Sequence, residues 1–274
     1  MKFNKTQIGV LIGVILLSTI LYFLPKKVLT NQKEGANRDK PQQQESEGAA
    51  NSANLKAIPL ILTESVSELA ESEKKALVLE ENADAKTIQK VMEAYTKLDN
   101  RIGVAYCMEK LKDSCSAKEL GLAYYEAFKQ SLVTENKQAL AAKVLFYLKP
   151  ILEKSPDNEI KCAIADCYVN TAENPMTGIT LLREVIAADS INENALFLLG
   201  EFAIKSGQLD KATTRFESLV RHYPSNIKYY VYLAQLFSGQ GNHSKAVETL
   251  TSAKKFATRK SAIDSINTSI NHLK

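Results

Sequence analysis

The C-terminal part of this chain repeats itself with a period of 34 residues. Leu199 recurs as Leu233, Gly200 as Ala234, Gly207 as Gly241, Ala212 as Ala246, Phe216 as Leu250 and Leu219 as Ala253. One period back stand Ala165, Gly178, Leu182 and Val185, again small or apolar. Within a period, Leu196, Leu199 and Ala203 share one helical face, and Ala212, Phe216 and Leu219 share a face of a second helix. Gly207 falls in the turn between them. Gly200 and Ala212 are small where the two helices must approach closely. Pro224 ends the second helix and opens the next connection. A unit of this size cannot bury its apolar face alone, so the pattern predicts helix pairs stacked side by side.

Composition agrees. Prolines (7) and glycines (11) are few, tryptophan is absent, and helix formers are plentiful. A net charge of +4 is modest, which argues against a nucleic-acid-binding surface. The four cysteines, Cys107, Cys115, Cys162 and Cys167, form no CxxC pair and no Cys/His set with zinc spacing. Cys162 and Cys167 would point about 140° apart on one helix, which disfavours a bond between them. They read as small apolar packing residues, and unpaired thiols lean toward a reducing compartment.

The repeating segment resembles the tetratricopeptide repeat. The match is carried by Leu196, Leu199-Gly200, Ala203, Gly207, Ala212, Phe216, Leu219 and Pro224. Residues 193–226 are the best copy. Residues 227–260 follow in register with Tyr230, Leu233-Ala234, Phe237, Ala246, Leu250 and Ala253. Residues 159–192 are a weaker copy, with Ala165-Asp166 where the Leu-Gly pair belongs. The resemblance implies an all-α, superhelical solenoid of antiparallel helix pairs, whose first helices line a concave face that takes peptides or partner helices. Carried over by position, that face holds Asn170, Asn194, Phe197, Glu201, Lys228, Val231 and Gln235. One subtype of the family grips a chain-terminal carboxylate with Lys and Asn on a first helix. The matching positions here hold Phe197 and Glu201, then Val231 and Gln235, so that grip is missing from these two repeats.

Upstream the register slips. Leu120-Gly121 and Tyr124 read as a first helix, with Ala139–Leu152 as its longer partner ending before Pro156. Ile88, Val91 and Tyr95, then Val104, Met108 and Leu111, read as an earlier pair. Ser65-x-x-Glu68 is a candidate capping box opening a helix with Val66, Leu69, Ala76 and Leu77. This gives four to five pairs over residues 58–274. At the far end Ile263, Ile266, Ile270 and Leu273 recur every three to four positions, the pattern of a capping helix over 261–274.

A different chemistry precedes the repeats. After a short tail (1–7), Ile8–Leu24 is 17 residues without a charge, and residues 8–25 are expected to form a single transmembrane helix. Such a helix covers roughly 25 Å, and Lys2, Lys5, Lys26 and Lys27 extend it by snorkelling to the headgroups. Tyr22 and Phe23 suit the interface. No small-residue cleavage site follows, so an uncleaved anchor is expected rather than a signal peptide. Gly9 and Gly13 form a single GxxxG, a weak sign of helix pairing. Lysine counts place the body in the cytoplasm, whereas a very short N-terminal tail favours its export, and the side stays open. Residues 26–57 are polar and read as a flexible linker. By resemblance, a bacterial inner membrane is the expected location.

No site for bond chemistry stands out. His222, His243 and His272 are scattered, no HExxH, GxSxG or P-loop occurs, and Glu80-Glu81 sits in a polar stretch. Lys254, Lys255, Arg259 and Lys260 cluster before the last helix, where cations at a helix end ordinarily stay solvated; contact with anionic lipid is the lesser reading. The sequence therefore predicts a membrane-anchored scaffold binding a protein or peptide, without cofactor, metal, nucleic acid or catalysis. Self-association, or an assembly role in a membrane complex, is the alternative.

Overall fold

The computed structural model describes residues 77, 79–80, 82–111 and 115–273. The expected transmembrane helix, the linker and the Ser65–Glu68 capping box lie outside them. Among the described residues no helix is long and apolar enough to cross a membrane. The elements are helices throughout: α1 (Ala85–Lys97), α2 (Arg101–Lys110), α3 (Ala117–Gln130), α4 (Thr134–Leu152), α5 (Asn158–Asn170), α6 (Pro175–Ala188), α7 (Glu193–Lys205), α8 (Leu209–His222), α9 (Ile227–Gly239) and α10 (His243–Ala253). A 3-10 turn, Lys254–Phe256, leads into α11 (Lys260–Leu273). Odd and even helices pair in sequence, and each pair packs on the next. The fold is an all-α stack of antiparallel helix pairs of tetratricopeptide type.

Side-chain oxygens define many of the helix starts. Asp84 accepts from Thr87 N, Asn100 from Gly103 N, Asn192 from Ala195 N and Asn242 from Lys245 N. Asp157 accepts from both Glu159 N and Ile160 N. Each satisfies a backbone donor that the helix leaves orphaned, worth about 1 kcal/mol per cap. Ser116 and Glu119 close a full capping box at α3. Pro175 opens α6 at a position where a missing N–H costs nothing. Gly207 (φ +72°) and Gly241 (φ +79°) make the α7–α8 and α9–α10 turns in the left-handed region that a side chain disfavours.

The periodic residues form the core. Ala212, Phe216 and Leu219 are fully buried on α8, and Ala246, Leu250 and Ala253 repeat the arrangement on α10. Gly200 shows why the close approach needs a small residue. A Cβ there would lie 2.8 Å from the Phe216 ring. Gly178 does the same work in the weaker copy, where a Cβ would meet the Ala165 carbonyl oxygen at 2.6 Å. Among the periodic helix residues, Leu199 stays half-exposed. Ile266 and Ile270 of α11 join the core of the last pair, with Leu273 packed beside them.

The first pairs follow the same logic with other residues. Ile88, Val91 and Tyr95 of α1 are buried as the spacing predicts. On α2 the buried residues are Gly103, Ala105 and Cys107, while Val104, Met108 and Leu111 are only half-buried. The cause is that α2 is packed between α1 and α3, so its smallest side chains face its neighbours. A Cβ at Gly103 would lie 2.2 Å from the Tyr95 ring. Cys107, Cys162 and Cys167 are buried free thiols, and Cys115 is free and half-buried. Burial raises the thiol pKa of Cys107 to about 11 and, with nearby Asp166 and Glu159, that of Cys162 to about 12, so both remain protonated packing groups.

A charged cluster sits among α2, α3 and α4. Lys143 Nζ donates to Glu109 Oε1 at 2.6 Å, and Tyr147 donates to the same oxygen at 2.9 Å. The Tyr124 hydroxyl donates to the other carboxylate oxygen. Burial would raise the Glu109 pKa, but these three donors outweigh it and hold the carboxyl below its ordinary range.

Candidate functional site: a groove across the first helices

The odd-numbered helices α3, α5 and α7, with the start of α9, form the walls of a groove of about 520 Å3. Its stripe on α5 is Glu159, Cys162, Asp166 and Asn170; on α7 it is Asn194, Phe197, Glu201 and Lys205. Each stripe steps by three or four residues, the spacing that keeps side chains on one face of a helix. Because the pairs stack in the same orientation, corresponding positions come together. Asn170 and Lys205, 35 positions apart, touch: Lys205 Nζ donates to Asn170 Oδ1 at 2.5 Å.

Of the residues carried over from the repeat pattern, Asn170, Asn194, Phe197, Glu201 and Lys228 line this groove. Val231 and Gln235 do not. Val231 is half-buried against the core of the last pairs, and Gln235 is exposed beyond the groove wall. The lining that continues onto α9 stops at Lys228 and Tyr229.

One wall of the groove is aromatic. Phe197 meets Tyr232 edge-on at 5.6 Å between ring centres and Tyr229 at 5.8 Å, and it stands edge-on to buried Phe216. Phe216 and Tyr232 stack at 4.8 Å. The Lys228 ammonium lies 3.9 Å above the Phe197 ring centre, well within cation–π range. The hydroxyls of this wall are fixed by acids: Tyr232 donates to Glu201 at 2.8 Å and Tyr229 to Glu193 at 2.6 Å. Burial, together with these carboxylates, raises both phenol pKa values, so the hydroxyls keep their protons.

The floor is Asp166, which is only 5% exposed and is the buried charged residue of the described core. Tyr125 donates to Asp166 Oδ2 at 2.9 Å across α3 and α5, and Asn170 donates to Oδ1 at 2.5 Å. Burial raises the carboxyl pKa and the charge of Glu201 raises it further; Tyr125, Lys205 and Asn170 pull it down without reversing the shift. The repeat pattern did not single out Tyr125, Asp166, Lys137 or Lys205 as groove residues. Asp166 did leave a signal, an acid within the otherwise uncharged run Cys162–Val169 at the place where the repeat expects glycine.

The described residues bring together no three His, Cys, Asp or Glu side chains able to hold a metal ion. What the groove offers is an aromatic wall, side-chain amides and ammonium groups.

Residues 194–226 match the tetratricopeptide repeat family. The chain carries a tetratricopeptide repeat. The matched segment covers α7, α8 and the turn into α9, so this repeat contributes Asn194, Phe197, Glu201 and Lys205 to the groove. The family's fold is a protein-interaction scaffold. No curated protein sequence matches this chain. Among solved structures, a crystal structure of MamA is similar at 18% identity and a TM-score of 0.44, covering 62% of this chain and 89% of that one. A second MamA crystal structure is similar at 16% identity and a TM-score of 0.42, over 76% of this chain and 92% of the other. A MamA fragment from Desulfovibrio magneticus RS-1 is similar at 16% identity and a TM-score of 0.42, over 63% and 94%.

Proposed function

We propose that this chain is a membrane-tethered scaffold whose repeats hold an extended segment of a partner protein in the groove across α3, α5, α7 and α9. The observation that carries the reading is the groove itself. Its lining positions recur at the same spacing on successive first helices, with different side chains on each, so a chain laid along the stack meets groove side chains at regular steps. The exposed Asn194 and the half-exposed Phe197 offer an amide and an apolar face there. The Ile8–Leu24 segment is the proposed anchor and residues 26–57 the tether, confining the repeats to the neighbourhood of one membrane. That membrane is proposed to be a bacterial inner membrane.

A photo-activated cross-linking side chain placed at Asn194 tests the groove. Placed instead at Phe146, which is 58% exposed on α4 outside the groove lining, it serves as the control. The expected result is a partner cross-linked from position 194 and not from 146. Cross-links from 194 only to second copies of the chain would replace this reading with self-association. Equal capture from both positions would end it. Protease protection in sealed vesicles tests the anchor and gives the side: full digestion of an unanchored, freely sedimenting chain would remove the membrane from the proposal.

A further inference from the structure

Granted that the groove takes a partner segment, its charges select which segment. Four carboxylates line it, and each already has an internal donor. Glu126 is paired with Lys129 at 2.6 Å, and Glu159 with Lys118 at 3.1 Å. Asp166 accepts from Tyr125 and Asn170, and Glu201 accepts from Tyr232. Of the four lysines in the lining, Lys129 is taken up by Glu126, and the other three are arranged differently. Lys205 donates to the neutral amide of Asn170. Lys137 stands 5.3 Å above the Phe128 ring, and Lys228 stands 3.9 Å above Phe197. Among the described residues no carboxylate forms an ion pair with Lys137, Lys205 or Lys228.

The asymmetry has a physical consequence. A carboxylate that accepts from a tyrosine hydroxyl or a lysine has part of its acceptor capacity used and its field partly cancelled. An ammonium on an aromatic face has at most one side engaged and keeps N–H donors free for a stronger acceptor. Aromatic support also holds the long side chain in place, which lowers the entropy lost when an anion binds. The groove therefore presents three placed cations without a carboxylate partner beside anions that already have donors.

We infer that the groove selects an extended acidic segment of a partner protein, whose side-chain carboxylates bridge Lys137, Lys205 and Lys228 while its apolar side chains lie against Phe197. The lysines are spread over α4, α7 and α9, so the acids are read along the segment. A free chain terminus is not required.

The test uses the full chain in detergent micelles and three fluorescent peptides of equal length, all amidated at the C-terminus. They share the same Leu and Tyr residues and differ in carrying Glu/Asp, Gln or Lys between them. The acidic peptide is expected to bind at least about tenfold more tightly than the Gln peptide, and the preference should shrink as salt is raised. The double variant K137Q/K228Q should lose about tenfold in affinity for the acidic peptide, and K137R/K228R should keep most of it. An unchanged circular dichroism melt of both variants shows that the stack is intact. Equal binding of the acidic and Gln peptides, tighter binding of the Lys peptide, or an indifferent K137Q/K228Q variant overturns the inference while leaving a peptide-binding groove. Binding of none of the three peptides overturns both the inference and the groove reading beneath it.

Discussion

The wedge between α2, α3 and α4 and the floor of the groove each draw a carboxylate out of water, and the two are handled in opposite ways. Glu109 receives a full counter-charge, the Lys143 ammonium at 2.6 Å, with two tyrosine hydroxyls besides. Its pKa falls despite burial. Asp166 receives only neutral donors, Tyr125 and Asn170, and feels the like charge of Glu201. Its pKa rises. Where the stack acts only as a scaffold, charge is cancelled within it. At the groove floor, the Asp166 carboxylate is hydrogen-bonded by neutral dipoles alone, the environment in which perturbed carboxyls mark working surfaces.

Four predictions test that contrast. The largest effect sets the scale for the apolar part of the stack: Phe216→Ala, at a fully buried ring that closes on Gly200, should cost about 3–5 kcal/mol in chemical denaturation. Next, Lys143→Ala leaves Glu109 without its counter-charge among three helices and should cost about 3 kcal/mol. A cost below about 1 kcal/mol would mean that the pair braces nothing.

The third prediction is the pH dependence. The folded pKa of Glu109 is depressed, so its contribution is present above its ordinary 4.5 and is lost as pH falls through the folded value. Glu109→Gln should therefore lower stability at neutral pH and show a shallower loss in acid than the parent chain. Asp166 has the opposite sign: its contribution is complete below its ordinary 3.8 and is lost as pH rises through the raised folded value. The smallest effect follows from this. Asp166→Asn keeps an acceptor for Tyr125 and removes the repulsion with Glu201, so at neutral pH it should change stability by about 1 kcal/mol or less, toward a gain. A loss of more than about 2 kcal/mol would show that the ionised form is stabilised after all and would erase the contrast.

The two regions also differ in how far the sequence announced them. The apolar repeats were legible because packing of helix pairs demands the same sizes at the same offsets. Gly200 against Phe216 and Gly207 in its left-handed turn are visible as spacing alone. The groove was half legible: Asn194, Phe197 and Glu201 follow from register, while Val231 and Gln235 share that register and still miss the cavity. The lining of the groove stops at Lys228 and Tyr229 on α9, an end that no single helix records. The Glu109–Lys143 pair left no signal, because its members are 34 positions apart on helices whose register had slipped. A polar pair joined only by tertiary contact has no local pattern to betray it. Asp166 was visible as a departure from the repeat, but its significance needed Tyr125, which arrives from a helix 41 positions away.

Hydrogen exchange of the full chain, alone and with a bound partner segment, tests the central claim most directly. Protection should rise in α3, α5, α7 and the first turn of α9, the elements that carry the groove, with α4 beyond its first turn, α6 and α8 unchanged. Protection confined to those second helices, or spread evenly over the stack, would contradict the assignment of binding to the groove.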